Sequence, residues 1–230
     1  MKIPWPARFS DAFGSEQTSI TRVDGPNVGL RIRGFDFFGL PSDLQPVQPL
    51  PPDARVALSD NGYLRNYVLE WRVPVLLDHA SGTTQDGCLY LRLEEVTEIA
   101  AVLRTGGAEY RARWIQDRSD EALGDLRENL PADLRLRSCH SCALAEYPAH
   151  AYFDFGSLGC FRDTPDEVLG ERVSLWGLWP KLTELVSETY LCPQHQPGGH
   201  RGVVGNVGVP NLWTVDHLDE PLSEAPPQPE

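Results

Sequence analysis

Across the first half of the chain, apolar side chains recur at every second position in short runs broken by turn-forming residues. Val28, Leu30 and Ile32 alternate with Gly29, Arg31 and Arg33, the period of a strand with one buried face. Thr18–Val23 precedes that run across the turn cluster Asp24-Gly25-Pro26-Asn27. Further on, Tyr67, Leu69, Trp71, Val73 and Val75 share one face of a strand, while Glu70, Arg72 and Pro74 point the other way. Pro74 has no N–H to give a ladder, which points to a sheet edge. A loop holding Ser81-Gly82 and Asp86-Gly87 leads into Leu89, Leu91 and Leu93, so the two runs predict an antiparallel pair. Gly106-Gly107 precedes another candidate strand with Tyr110, Ala112 and Trp114 on one side. Pro41 to Pro52 is proline-rich and without pattern, which reads as an extended surface loop or, alternatively, a docking segment for a partner. Short strands joined by turns predict an antiparallel β sandwich or open barrel over residues 1–116.

The period then changes. Ser119 is placed to cap a helix with Asp120 and Glu121 in its first turn, and Leu123, Leu126 and Leu130 follow at helical spacing up to Pro131. Thr164-Pro165-Asp166-Glu167 is a second start signal, closed by Gly170. Pro180 predicts a third helix with Leu178, Leu182, Leu185 and Val186 as its buried stripe. After Trp213 the chain runs TVDHLDEPLSEAPPQPE, an acidic, proline-rich composition expected to be a disordered tail. The expected class is α+β: a β-rich domain at 1–116, a small helix-containing module at 117–213 and a tail at 214–230.

Composition narrows the function. The 230 residues suffice for one large domain or two small ones. A net charge of −13 disfavours nucleic-acid binding, which needs clustered Lys and Arg. The same charge suits a basic protein partner, or serves solubility alone. No apolar run approaches the roughly 20 residues that span a bilayer, and the start lacks a secretory layout. A cytoplasmic protein off the membrane is expected.

Five cysteines in such a compartment argue against a disulfide framework. Four of them fall between positions 139 and 192. Cys139-His140-Ser141-Cys142 has C-x2-C spacing, which lets a tight turn aim two thiolates at one tetrahedral ion. Cys192-Pro193-Gln194-His195 has C-x2-H spacing, and Cys160 stands alone between these two knuckles, in an expected glycine-flanked turn, Phe155-Gly156-Ser157-Leu158-Gly159-Cys160. Cys160 and His195 compete for the fourth position. Cys160 is favoured for a structural zinc held by Cys139, Cys142, Cys160 and Cys192, because all-thiolate sites are common and His195 lies in a polar stretch. A thiol-redox pair at Cys139 and Cys142 is the second reading, and inert buried thiols the third. Redox chemistry would want a strand before the pair and a long helix after it, whereas Pro148 follows closely. Cys88 reads as a packing residue.

Cys139-x2-Cys142, Tyr147-Pro148, Phe155-Gly156-x-Leu158-x-Cys160 and Glu188-Thr189-Tyr190-Leu191-Cys192 together resemble the motif series of an uncharacterised bacterial family. That resemblance, carried by residues 135–200, implies a β-rich N-terminal region and a four-cysteine C-terminal module. It also favours Cys160 over His195, and it implies no activity.

A four-cysteine shell leaves no open coordination position for catalysis. H-E-x-x-H, the deaminase pairing, G-x-S-x-G, the P-loop and G-x-G-x-x-G are all missing from the sequence. Glycine-rich 202–208 reads as loop and edge strand, His140 as an exposed turn residue, and Glu184 and Glu188 as a solvated helix face. Three functions are carried forward. One is a non-catalytic, zinc-stabilised binding protein, whose sharper form is an acidic immunity-type inhibitor of a basic partner. The others are an enzyme with its site in the N-terminal β domain and a thiol-redox protein.

Overall fold

The computed structural model describes residues 4–24, 27–94, 98–112, 115–116, 119–147, 158–169, 179–198 and 213–219. Strands β1 (Trp5–Asp11), β2 (Gly14–Asp24), β3 (Asn27–Ile32), β4 (Phe35–Leu40) and β5 (Asp43–Pro46) come first. The sequence continues with β6 (Tyr67–His79), β7 (Thr84–Glu94), β8 (Glu98–Thr105), β9 (Ala108–Arg111) and β10 (Ile115–Gln116). Helix α1 (Ser119–Glu128) and β11 (Leu134–Arg137) follow. Then come β12 (Ala145–Glu146), β13 (Leu158–Cys160), helix α2 (Pro165–Leu169) and β14 (Glu184–Val186). The described residues are mostly antiparallel sheet with two short helices, an α+β arrangement. Among the described residues, no helix is long and apolar enough to cross a membrane.

Among the described residues, eleven strands form one sheet in the order β10-β8-β7-β6-β1-β2-β3-β4-β5, with β9 also on β8 and β11 also on β6. The 13-residue β6 is its hub. It pairs with β7 along almost its whole length, from Val68↔Glu94 to Asp78↔Thr84. Its other edge is shared, by β1 from Tyr67 to Trp71 and by β11 from Leu76 to His79. Pro74 falls in the gap between those two partners, so its missing N–H breaks no ladder. The sheet edge expected at Pro74 is therefore a local gap inside the sheet.

Alternate residues of β1, β3, β6, β7 and β8 build one continuous core with Ile20, Phe37 and Leu44, and Phe9, Leu69, Leu89 and Leu103 have no exposed surface. Leu123 and Leu126 join it from α1, Leu130 from just beyond that helix, and Leu134 and Leu136 from β11. The first core thus runs past the expected boundary at residue 116 to the threshold of the cysteines, because the leucine stripe of α1 needs an apolar face to lie on.

Other expectations are corrected. Pro41 to Pro52 contains strand β5, paired with β4 from Phe37↔Pro46 to Leu40↔Asp43. Burial of Leu44 and a 2.5 Å hydrogen bond from Tyr67 Oη to Pro41 O outweigh the proline composition. The third helix is replaced by a single 3-10 turn, Trp179–Lys181, followed by β14. Leu185 pairs with Gly159 and Val186 with Leu158, so ladder bonds displace the helical reading. The expected tail begins with an ordered 3-10 turn at Asp216–Leu218. Trp114, residues 148–157, Gly170, Leu178 and the 202–208 stretch lie outside the described residues.

Candidate metal centre

Cys139–Ser141 forms a 3-10 turn directly after β11, closed by Cys142 N–H to Cys139 O at 3.0 Å. Ser138 N–H donates to Ser141 Oγ at 3.2 Å, which fastens the start of the turn. Two further backbone donors stitch it to a distant segment: Cys139 N–H to Tyr190 O and His140 N–H to Glu188 O, both 3.0 Å. Cys160 ends the central strand of a three-stranded sheet, opposite Ala145 of β12 and Glu184 of β14. It was expected in a turn; the flanking glycine instead lets strands pack closely, since a Cβ on Gly159 would stand 3.1 Å from Glu146 O. At the second knuckle His195 N–H returns to Cys192 O at 3.1 Å, and Gln196 N–H reaches Cys142 Sγ at 3.5 Å.

These segments bring all four thiols into one buried cluster with Leu144, Tyr147, Leu158 and Val186. Cys139, Cys142, Cys160 and Cys192 are 1, 3, 3 and 6% exposed, and all are free thiols. Burial pushes the Cys139 thiol well above its ordinary range, and negative charge on Cys160, Cys142 or Cys192 pushes it further. Cys160 is also raised by burial, opposed by a backbone hydrogen bond at Arg162 and by that residue's charge. Four soft sulfurs would repel one another once ionised, and thiolates are the donors that a thiophilic divalent ion takes. Among the described residues, however, no group of three or more His, Cys, Asp or Glu side chains is arranged so as to hold a metal ion.

His195 turns elsewhere. Its Nε2 lies 3.0 Å from Ser141 Oγ, at the wall of a cleft of about 850 Å³ lined also by Asp78, His79, Arg127 and Arg135. Burial lowers the His195 pKa, and the charge of Arg137 lowers it further. The Ser141 hydroxyl is committed to structure: it donates to Leu136 O at 2.5 Å while accepting the Ser138 N–H. A serine so held is a turn fastener rather than a nucleophile, whose proton must pass to its base.

Three residues differ from expectation. His140 is buried at 1%, not exposed in a turn. Glu184 stands on a strand and pairs with Arg162. Glu188, expected on a solvated helix face, has no exposed surface and accepts a 2.9 Å bond from Tyr147 Oη. No periodicity marks Glu188 in the sequence, because its burial comes from strands and turns far away in the chain. Cys88, half-buried, packs beside Tyr90 and Val102 on the outer face of β7 and β8.

Residues 3–145 match a family of unknown function, DUF6304. The chain belongs to this family. The DUF6304 stretch takes in the large sheet, α1, and Cys139 and Cys142, and it ends before Cys160 and Cys192. Membership is thus carried by the β region, not by the cysteine series at 135–200 that suggested an uncharacterised family. No curated protein and no solved structure matches the chain.

Proposed function

We propose that this DUF6304 protein is a non-catalytic binding protein, its β region a sandwich or open barrel and its C-terminal module stabilised by one structural zinc. Cys139, Cys142, Cys160 and Cys192 would hold the ion, which supplies folding free energy because the assembled donor set does not exist in the unfolded chain. The observation that carries this reading is the gathering of four thiols, from three separate segments, into one buried cluster. A redox pair would need accessible sulfur, and these thiols are 1–6% exposed. The backbone N–H of Gln196 directed at Cys142 Sγ is the kind of contact that stabilises a ligating thiolate. The acidic surface suits a basic protein partner, of which an immunity-type inhibitor is the sharpest form.

Metal analysis of protein purified without chelator tests the reading. One zinc per chain is expected, lowered by alanine at any of the four cysteines and unchanged by Cys88→Ala or His195→Ala. Chelation is expected to melt the module while much of the β-sheet signal persists, and acid to do the same as protons compete for sulfur. A metal-free protein with full thermal stability would refute the structural zinc.

A further inference from the structure

The outer faces of β6, β7 and β8 should alternate with the core as solvent-facing polar positions, yet Glu70 on that face is only 4% exposed. Residues 213–219 cover it. Trp213 Nε1 donates to Glu70 Oε1 at 2.8 Å, His217 Nε2 lies 2.9 Å from Glu70 Oε2, and Arg92 Nη1 bonds Glu70 Oε1 at 3.0 Å. Val215 and Leu218 pack into a small cluster of their own with Tyr90 and Val102, separate from the main core. The acidic residues of the segment meet a row of arginines. Arg104 binds Asp216 at 2.6 Å and Asp219 at 2.7 Å, Arg72 binds Asp219 at 3.3 Å, and Arg111 Nη1 donates to Trp213 O at 2.5 Å. Tyr90 Oη donates to Asp219 as well. Arg92, Arg104 and Arg111 also pair with Glu70, Glu94 and Glu109, and Asp216 and Asp219 are the carboxylates the strap adds to Arg104 and Arg72.

We propose that this arginine-lined face of β6–β8 is a binding site for an acidic peptide segment bearing an aromatic side chain, and that Trp213–Asp219 fills it in cis as a displaceable strap. Displaceability follows from the character of the contacts. The carboxylates of Asp216 and Asp219 are 83 and 41% exposed even while paired, and exposed pairs hold weakly and exchange with solvent. Only Val215 and Leu218 of the strap's apolar side chains are fully buried. A partner segment of the same chemistry would meet the same Glu70, Tyr90 and four arginines, and would compete against the high effective concentration of a tethered rival. The site does not include Cys139, Cys142, Cys160 or Cys192, so its failure would leave the zinc reading untouched.

Cys88 provides the readout, because it is half-buried beside Val215 and Leu218. In the full chain, V215D/L218D should release the strap and speed thiol labelling at Cys88 by about tenfold or more, with C88S as the blank. Added peptide of sequence WTVDHLD should restore protection and bind this variant about tenfold tighter than wild type, with affinity falling as salt rises. Arg104→Glu, a substitution at a partly exposed position, should instead prefer the charge-swapped peptide WTVKHLK. Unchanged labelling in a folded V215D/L218D protein would overturn the proposal, as would equal peptide affinity for wild type and variant. Equal binding of polyglutamate matched in charge would overturn the peptide assignment and leave a general polyanion surface.

Discussion

Tyr147→Phe is the sharpest probe of how the cysteine module is held. The substitution keeps the ring in its buried place, 2% exposed, and deletes only the hydroxyl that donates to Glu188 Oε1 at 2.9 Å. Glu188 has no exposed surface, so water cannot replace the lost donor, although its other contacts remain. Its carbonyl also receives the His140 N–H of the first cysteine turn, so loosening Glu188 loosens the turn that carries Cys139 and Cys142. A buried acceptor left short of a donor costs about 1–3 kcal/mol. For a chain of this size that corresponds to a fall of about 2–12 °C in Tm, measured by scanning calorimetry on the purified protein. A double-mutant cycle with Glu188→Ala isolates the pair, with a coupling of about 1 kcal/mol or more expected. Tyr147→Phe and Glu188→Ala effects that simply add, to within about 0.5 kcal/mol, would refute the bond as a support of the module.

Two further outcomes are expected from the large sheet. Gly39 has φ +141°, and a Cβ there would stand 2.3 Å from Asp43 O across the β4–β5 turn; Gly39→Ala should destabilise by about 1–3 kcal/mol or more in urea denaturation. Gly34→Ala, at φ +84° but with nothing within 4 Å, should cost clearly less, and equal costs would show that the close approach is not the cause. The carboxyl of Glu109 is held below its ordinary range chiefly by its hydrogen bond to Arg104, against a smaller opposing effect of burial. A depressed folded-state pKa adds stability above the unfolded value, and that stability is lost as pH falls through the folded pKa. A titration followed by NMR should place the Glu109 midpoint below 4.5 and return it upward in Arg104→Gln; an unchanged midpoint would remove Arg104 as the cause.

Local pattern alone was enough for several elements. The period-two runs at Val28–Ile32 and Tyr67–Val75 became β3 and β6, because a strand with one buried face writes its register directly into alternation. The leucine stripe of α1, and the proline start of α2, were legible for the same reason: their signals lie within a few residues of one another. The clustering of four cysteines was also visible in the sequence; the tertiary structure puts all four in one buried cluster, without arranging three or more of the described His, Cys, Asp or Glu side chains to hold a metal ion.

What depended on distant partners was not legible. The proline-rich stretch became β5 because β4 offered an open edge, and the leucines after Pro180 became β14 because β13 did. Glu188 and His140 read as surface residues until backbone bonds over some fifty positions of chain buried them both. Glu70 looked solvent-facing by alternation, and it is, until residues 213–219 fold back across it from the far end of the chain. Alternation and capping are short-range physics that a sequence carries whole. Burial of a polar group is decided by which remote segment supplies its hydrogen bonds, and only the assembled chain contains that information.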